Sequence, residues 1–422
     1  MPDFNEDFLQ FLWQHKLFIP KPFVSTKGKS IVVVSPGELN PNAGPDFSNA
    51  KIKIDGVLLA GNVEIHIKTG DWLKHGHQRN KSYNRLILHA VYEHDLTLRQ
   101  NEKHGVEVLE LKPLIDAKTL KAYARFSRHK QALACAKQMG FCNDAAFSAQ
   151  LDKSLKERLS QKCAAVERVY RYKQKDFTQT FYICLLRNFG FKVNAEAFEL
   201  LAKQLPPGIL LKHRDNLLQL ECLLLGTAGF LSETFDAKHF RHLQNEYAFL
   251  KNKYGLIPLN RDLFKFSRLR PANFPPRRLA QFAAFIHQCG DIFLAPHKAV
   301  DYADLNKRLS LDVSAYWRQS ARGSGALGQE AIDNLIINSF VPFLLFYAKQ
   351  NGKSKLESHA MNLLQQCAFE KNKITGLFAL KKHLFLNAGH SQALIGLHHN
   401  FCRAKKCLQC GVAAGILKPA ST

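Results

Sequence analysis

The apolar pattern of this chain changes period once, and that change limits the folds open to it. Up to about residue 115, short segments alternate apolar and polar residues, as in AKIKIDG at 50–56 and NVEIHIKTG at 62–70. A period of two marks half-buried strands. From about 116 onward, apolar residues recur at helical spacing. Examples are LDKSLKERLSQKCAAVERVYRYKQ at 151–174, FTQTFYICLLRNFG at 177–190, AEAFELLAKQLP at 195–206 and DNLLQLECLLLGTAGFL at 215–231. RRLAQFAAFIHQCG at 277–290 and QEAIDNLIINSFVPFLLFYAKQ at 329–350 continue the series. Glycine and proline punctuate these segments, as expected at helix ends. The pattern predicts an α+β domain over 1–120, a mostly α-helical domain over 121–400 and a cysteine-rich tail over 401–422. The passage from one domain to the next falls within 116–150. No fixed repeat of 20–50 residues is present, which argues against a regular solenoid.

Within the first part, Phe8, Leu9, Leu12, Trp13 and Leu17 give a helix over 5–18 with Asn5 as N-cap. SIVVVSPGE at 30–38 reads as a strand, and ELNPNAGPDFSNA at 38–50 as turns. The segments at 50–56 and 62–70 read as adjacent antiparallel strands. A helix is expected near 77–86, and further strands at 87–98 and 104–115.

Composition narrows the partners. Lys and Arg number 59 against 35 Asp and Glu, a net charge of +24, and 46% of the 422 residues are hydrophobic. That apolar share supports a packed core and excludes whole-chain disorder. About +6 of the charge falls in residues 1–140 and about +18 in 141–422. No uninterrupted apolar run approaches the ~20 residues of a spanning helix, so no membrane partner is expected. The N-terminal stretch begins acidic and lacks a small-residue cleavage site, which predicts a cytoplasmic protein. There the abundant polyanions are nucleic acids, the expected partner. The alternative is a basic but ordinary surface. The sequence leaves the oligomeric state open.

Chemistry concentrates in residues 38–94. Asp46 sits in a turn just before a strand. On the strand at 62–68, Glu64, His66 and Lys68 share one face and Val63, Ile65 and Ile67 the other. The Val/Ile face is the natural core face, so the opposite face offers a carboxylate, an imidazole and an ammonium to solvent. Asp71, His75 and His77 follow directly. Five of the 18 histidines fall in 64–94: His66, His75, His77, His89 and His94.

An acidic residue after a turn, then a strand bearing Glu-x-His, then a helix, resembles the PD-(D/E)XK nuclease core. The resemblance implies a restriction-endonuclease-like α+β fold. It also implies a divalent metal held by the acid of one strand, here Asp46, and the acid of the next, here Glu64. The lysine position two residues after Glu64 holds His66, and Lys68 lies one pleat further along the same face. Such carboxylates suit Mg²⁺ or Mn²⁺. His66, His75 or His77 would then move protons, with Asp71 beside them, and Lys68 would stabilise phosphoryl charge. The implied reaction is phosphodiester hydrolysis in nucleic acid. A competing reading is zinc held by His75, His77 and Asp71 or Glu64. A different class of reading is an inactive nucleic-acid-binding or scaffold protein that keeps the fold. More closely, GPDF, GNVEIHIKTGDWLKHGHQRNKSYNRLILHAVYEHD, RLRPANFPPRRLAQFA and CLQC resemble a bacterial family, seen largely in Bacteroidetes. It is known only as domain-of-unknown-function family 2851.

Two further features stand outside that region. Cys402, Cys407 and Cys410 lie within nine residues flanked by Lys405 and Lys406, a spacing that suits zinc or an iron–sulfur cluster. A fourth ligand would come from His398, His399, Cys135 or Cys142. SRLRPANFPPRR places Arg268, Arg270, Arg277 and Arg278 around prolines, a stiff arginine-rich segment suited to phosphate contacts. Lys405 and Lys406 would add to a nucleic-acid surface.

Overall fold

The computed structural model describes residues 4–40, 44–98, 105–127, 133–232, 238–267, 269–295, 298, 301–319 and 325–417. By internal contacts the chain forms two units. One comprises 1–154, 373–384 and 394–422, and the other 155–372 and 385–393. This division differs from one drawn at residue 120. The tail over 401–417 is built into the first unit, where Gly411 N donates to Gln150 Oε1 at 2.7 Å and Thr119 Oγ1 donates to Leu417 O. Lys381 Nζ is tied there too, to Cys142 O at 2.6 Å and Asp144 Oδ1 at 2.7 Å.

The first unit opens with helix α1 (Glu6–Gln14), which buries Phe8, Leu9, Phe11, Leu12 and Trp13. Seven strands follow: β1 (Phe23–Val24), β2 (Ser30–Ser35), β3 (Glu38–Leu39), β4 (Phe47–Ile54), β5 (Val57–Lys68), β6 (Leu86–Glu93) and β7 (Glu107–Glu110). Their order in the sheet is β1-β2-β4-β5-β6-β7, with β3 added to β4. Pairings up to β4–β5 are antiparallel, whereas β5–β6 and β6–β7 are parallel. Asp55 and Gly56 close the β4–β5 hairpin, with φ of 46° and 84°. Two left-handed residues match the twist of the flanking strands, which fixes the register Ile54↔Val57.

A parallel pair cannot be joined by a tight turn and requires a crossover. Residues 69–85 supply it, carrying a short helix α2 (Asp71–Lys74) and 3₁₀ turns at His77–Arg79 and Lys81–Arg85. The helix expected near 77–86 is therefore two 3₁₀ turns. Gly76, with φ of 72°, and Asn80, which is extended, break the α-helical path.

The second unit is helical. Its core holds Phe181, Phe189, Phe282, Phe285 and Phe293, with Phe189 and Phe282 ring centroids 5.0 Å apart. Helices Phe177–Phe189, Phe191–Gln204, Leu217–Thr227 and Pro275–Cys289 lie within a few residues of the expected spans. Gly226 lets helix Leu217–Thr227 close on Tyr247, since a Cβ there would meet the ring at 2.3 Å. The run Gln329–Asn351 contains a π turn at Ile336–Phe340 just ahead of Pro342. Among the described residues it alone has the length and hydropathy of a membrane span, and most of it is buried inside the protein. No uninterrupted apolar run marks it in the sequence, because Glu330, Asp333 and Lys349 interrupt it.

A cavity of about 480 Å³ in this unit is lined by Lys162, Arg168, Arg187, Lys203, Glu199 and Asn338 among others. Lys162 Nζ donates to Asn338 Oδ1 at 2.8 Å and Ile337 O at 3.3 Å. Burial, helped by Arg158, holds its ammonium pKa down to about 7. The unfolded chain binds this proton as pH falls through the ordinary lysine range, whereas the folded chain binds it only near 7. Stability is therefore lost progressively as pH drops from about 10.5 to about 7 and the loss is constant below that. Lys162→Met is expected to raise the unfolding midpoint more at pH 7 than at pH 10, read by thermal melts at both values. An equal shift at both pH values would contradict it.

Candidate metal centre

The crossover from β5 to β6 folds back over the strand face that carries Glu64 and His66. Both residues are buried, at 4% and 1% exposure. The solvent-facing row expected from strand alternation is thus covered. The reason is tertiary: α1 and the crossover both pack on β5. Lys68 lies on the same face at the half-buried end of the strand.

Three imidazoles meet above this face. Ligand atoms of His66, His75 and His77 lie within 4.8 Å of one another. His66 is buried, His77 half-buried and His75 exposed, so the cluster opens to solvent on the His75 side. The Glu64 carboxylate completes the group: its Oε1 lies 3.1 Å from His77 Nε2 and 3.4 Å from His66 Nε2. His77 Nε2 is buried but off-angle for a hydrogen bond, which leaves it without a hydrogen-bond partner. His75 Nδ1 is 3.2 Å from His66 Nε2.

Behind His66 stands His89 on β6, fully buried, with its Nε2 2.9 Å from His66 Nδ1. If His66 Nδ1 donates this bond, its Nε2 lone pair faces the cluster. Histidine ligands are commonly oriented in this way by a partner on the other ring nitrogen. Burial first, and the neighbouring imidazoles second, hold His66 at about 2 and His89 at about 3, so both rings stay neutral and able to ligate. His77 is also lowered, by burial and then by His75. His89→Ala is expected to weaken metal binding by about 10–100-fold without removing a ligand, measured by calorimetric titration. Unchanged affinity would show that His89 is only a packing residue.

Asp46 lies at the start of β4 beside Glu64. Its backbone N–H donates to Glu64 Oε2 at 3.0 Å. Asp46 Oδ2 accepts from Ile65 N and Oδ1 from Gln10 Nε2, both at 2.8 Å. Burial raises both carboxyl pKa values, and the neighbouring acid raises that of Glu64 further. Glu6, one turn before Gln10 on α1, accepts from Ile67 N and is itself raised by burial. His75 favours the anion at Glu6, but no cation among the described residues offsets the crowding of Asp46 and Glu64, which a bound cation would relieve. Asp71 does something else. Its carboxylate caps the crossover, accepting from Lys68 N at 2.9 Å and pairing with Lys74 at 2.6 Å. Burial pushes it up, but the Lys74 and Lys68 N–H bonds outweigh this and leave it below the usual range.

The site therefore brings together Asp46, Glu64, His66, His75 and His77, with Lys68 and Asp71 at its margin. Glu6, Gln10 and His89 join it without having been singled out. A carboxamide and a carboxylate at i, i+4 on one helix face were the only sequence signal for the first two. Three imidazoles with one carboxylate suit Zn²⁺, Mn²⁺ or a similar transition ion.

The expected nucleic-acid surface is divided. Lys405, Lys406 and Arg270 are exposed, Arg277 is half-buried, and Arg268 lies outside the described residues. Arg278 is buried at 7% exposure and is corrected to a core residue. The helix begins at Pro275, two residues earlier than expected, and its packing holds Arg278 inward over the Phe191 ring at 4.3 Å. Phe274 packs edge-on against Phe266 at 5.2 Å.

The sequence model of one family, described as "Protein of unknown function (DUF2851)", matches residues 6–373, and the chain belongs to that family. No curated protein and no solved structure matches it.

Proposed function

We propose that this member of the DUF2851 family is a metal-dependent hydrolase that cleaves phosphodiester bonds in nucleic acid. The observation that carries the reading is the convergence of His66, His75, His77 and Glu64, with Asp46 against Glu64 on the adjacent strand. Acids on two neighbouring strands are what the PD-(D/E)XK resemblance implies. The three imidazoles favour Mn²⁺ or Zn²⁺ over Mg²⁺, which prefers all-oxygen surroundings.

An ion held there would polarise a phosphoryl oxygen and make a bound water a nucleophile near neutral pH. Glu64 supplies the anionic ligand, and Gln10 and the Ile65 N–H hold Asp46 beside it. His75, the exposed member, would hold the ion on its solvent-facing side, where substrate enters. Lys68 offers positive charge to the phosphoryl group from the strand end. The net charge of +24, with Lys405, Lys406 and Arg270 exposed, supports a polyanionic substrate.

The second reading is a nucleic-acid-binding protein without hydrolysis. His66 in place of the lysine that the PD-(D/E)XK pattern carries favours it, because no ammonium then stands two residues after Glu64. Purified protein incubated with single- and double-stranded DNA and RNA, in Mn²⁺, Zn²⁺ or Mg²⁺, separates the two. Cleavage that needs the metal and disappears with chelator is expected. Binding without cleavage in any metal would favour the second reading and sink the first.

A further inference from the structure

A second metal-binding group lies in the first unit, apart from the His-carboxylate cluster. We propose that Cys135, Cys402, Cys407 and Cys410 jointly bind one thiophilic metal, zinc being its simplest occupant.

Cys135 is 267 residues from Cys402 in sequence. The fold nevertheless brings them into one neighbourhood. The Cys135 thiol senses those of Cys410 and Cys407, and the Cys402 thiol senses those of Cys410, Cys135 and Cys407. Helix Gly411–Leu417 packs against both the 3₁₀ segment Ala136–Phe141, which follows Cys135, and the one at Cys407–Gln409.

The local backbone is shaped for a thiolate. Cys410 N donates to Cys407 O at 3.1 Å, which closes a tight turn at the Cys-x2-Cys pair. The Cys410 sulfur accepts backbone N–H bonds from Val412 and Ala413 at the start of the following helix. Lys405 takes a left-handed conformation, φ 54°, to fold the loop between Cys402 and Cys407. Backbone N–H groups aimed at sulfur favour its anionic form. All ten cysteines are free, so none of these sulfurs is held in a disulfide.

Four free cysteines gathered in one neighbourhood are the soft ligand set a thiophilic metal takes, and each must lose its proton to bind one. On binding, four S–H protons go to solvent and four sulfur–metal bonds form. A zinc tetrathiolate carries net negative charge, and Arg403, Lys405 and Lys406 lie in the same loop. The sulfurs stand further apart than the His cluster, since only His66, His75 and His77 have ligand atoms within 4.8 Å of one another among the described residues. Binding therefore draws the 402–410 loop inward. Cys142 is the neighbour to be distinguished. Its thiol also stands near those of Cys135 and Cys410, but its sulfur lies against Gly415, 2.7 Å from where a Cβ would stand there, with Lys381 and Asp144 beside it.

The test uses the full-length chain, purified anaerobically, with metal and acid-labile sulfide measured and then with Co²⁺ added after chelation. Co²⁺ in a thiolate site gives sulfur-to-metal charge-transfer absorption, which an imidazole–carboxylate site does not. This separates the present proposal from the hydrolase reading, whose failure would leave the signal intact. The signal is expected in the wild type and in Cys142→Ala, and is expected to fall by more than half in Cys135→Ser. Iron with equimolar sulfide in place of zinc would support the thiolate centre with a cluster as occupant. In the unmodified chain, alkylation followed by mass spectrometry is expected to show all four cysteines protected until chelator is added. Absence of both the Co²⁺ signal and metal-dependent protection would overturn the proposal. An unchanged signal in Cys135→Ser, or its loss in Cys142→Ala, would overturn the assignment of Cys135.

Discussion

Replacing Glu64 by glutamine is expected to lower metal-dependent cleavage by roughly 10²–10³-fold while leaving the fold intact. A metal's stabilisation of transition-state charge is worth several kcal/mol, and each ~1.36 kcal/mol is a factor of ten in rate. Glutamine keeps the size of Glu64 and removes only the anion. Without metal, burial and Asp46 already disfavour that anion, so glutamine resembles the form the carboxyl takes in the empty cluster. The Asp46 N–H bond to position 64 can be kept by the amide oxygen. Activity and metal affinity should therefore fall together, with the melting temperature unchanged or slightly raised. A variant that retains full activity, or that loses activity only because it unfolds, would remove Glu64 from the ligand set. His77→Ala should behave similarly in metal binding, since His77 Nε2 has no hydrogen-bond partner to lose.

The second large effect is on stability. Arg278→Ala is expected to cost about 2–4 kcal/mol, which combines a lost charged hydrogen-bond pair with a desolvated cation–π contact. The guanidinium donates to Gln281 Oε1 at 2.8 Å and to Asn273 Oδ1, and it covers the Phe191 ring. Truncation leaves two amide oxygens without their donor and opens a void over Phe191. Part of the cost is offset, because burial of an arginine beside Arg277 already depresses its pKa to about 10. Arg270→Ala, at an exposed position, should stay within about 0.5 kcal/mol of wild type. Denaturant unfolding distinguishes the pair. Equal, small effects would return Arg278 to the surface role its sequence context suggested.

That reversal shows which parts of the molecule were legible in the sequence. The period change near 115 placed the sheet first and the helices after it, since both patterns are local. Asp46, Glu64, His66, His75 and His77 were legible as a group because they sit on one hairpin and the crossover that follows. Burial was not legible. Whether the Glu64–His66 face meets solvent depends on where α1 and the crossover pack, and strand alternation is silent on that. Glu6 and Gln10 read as the solvated side of an amphipathic helix. His89 counted only toward a local enrichment, because its contact with His66 requires β6 to lie parallel to β5 in the register Glu64↔His89. Arg278 was misplaced because it meets Phe191 only through tertiary packing, which charge alone does not reveal. Cys135 could be one of four candidates for a fourth ligand and no more, since loop closure over such a separation leaves no spacing signature.

The first unit gives up the chain at residue 154 and takes it back only at 373 and again at 394. During synthesis, then, the strands and histidines emerge before the segments 373–384 and 394–417 that complete their compact unit. The helical unit is largely finished by residue 372 and has the opportunity to fold earlier, because domains generally fold as units during synthesis. Completion of the unit that carries the candidate metal centre thereby waits until the helical segment 155–372 has been made. Shortening the chain after 154 would leave Ala117–Ser127 and Ala136–Phe141 without the later segments that pack on them.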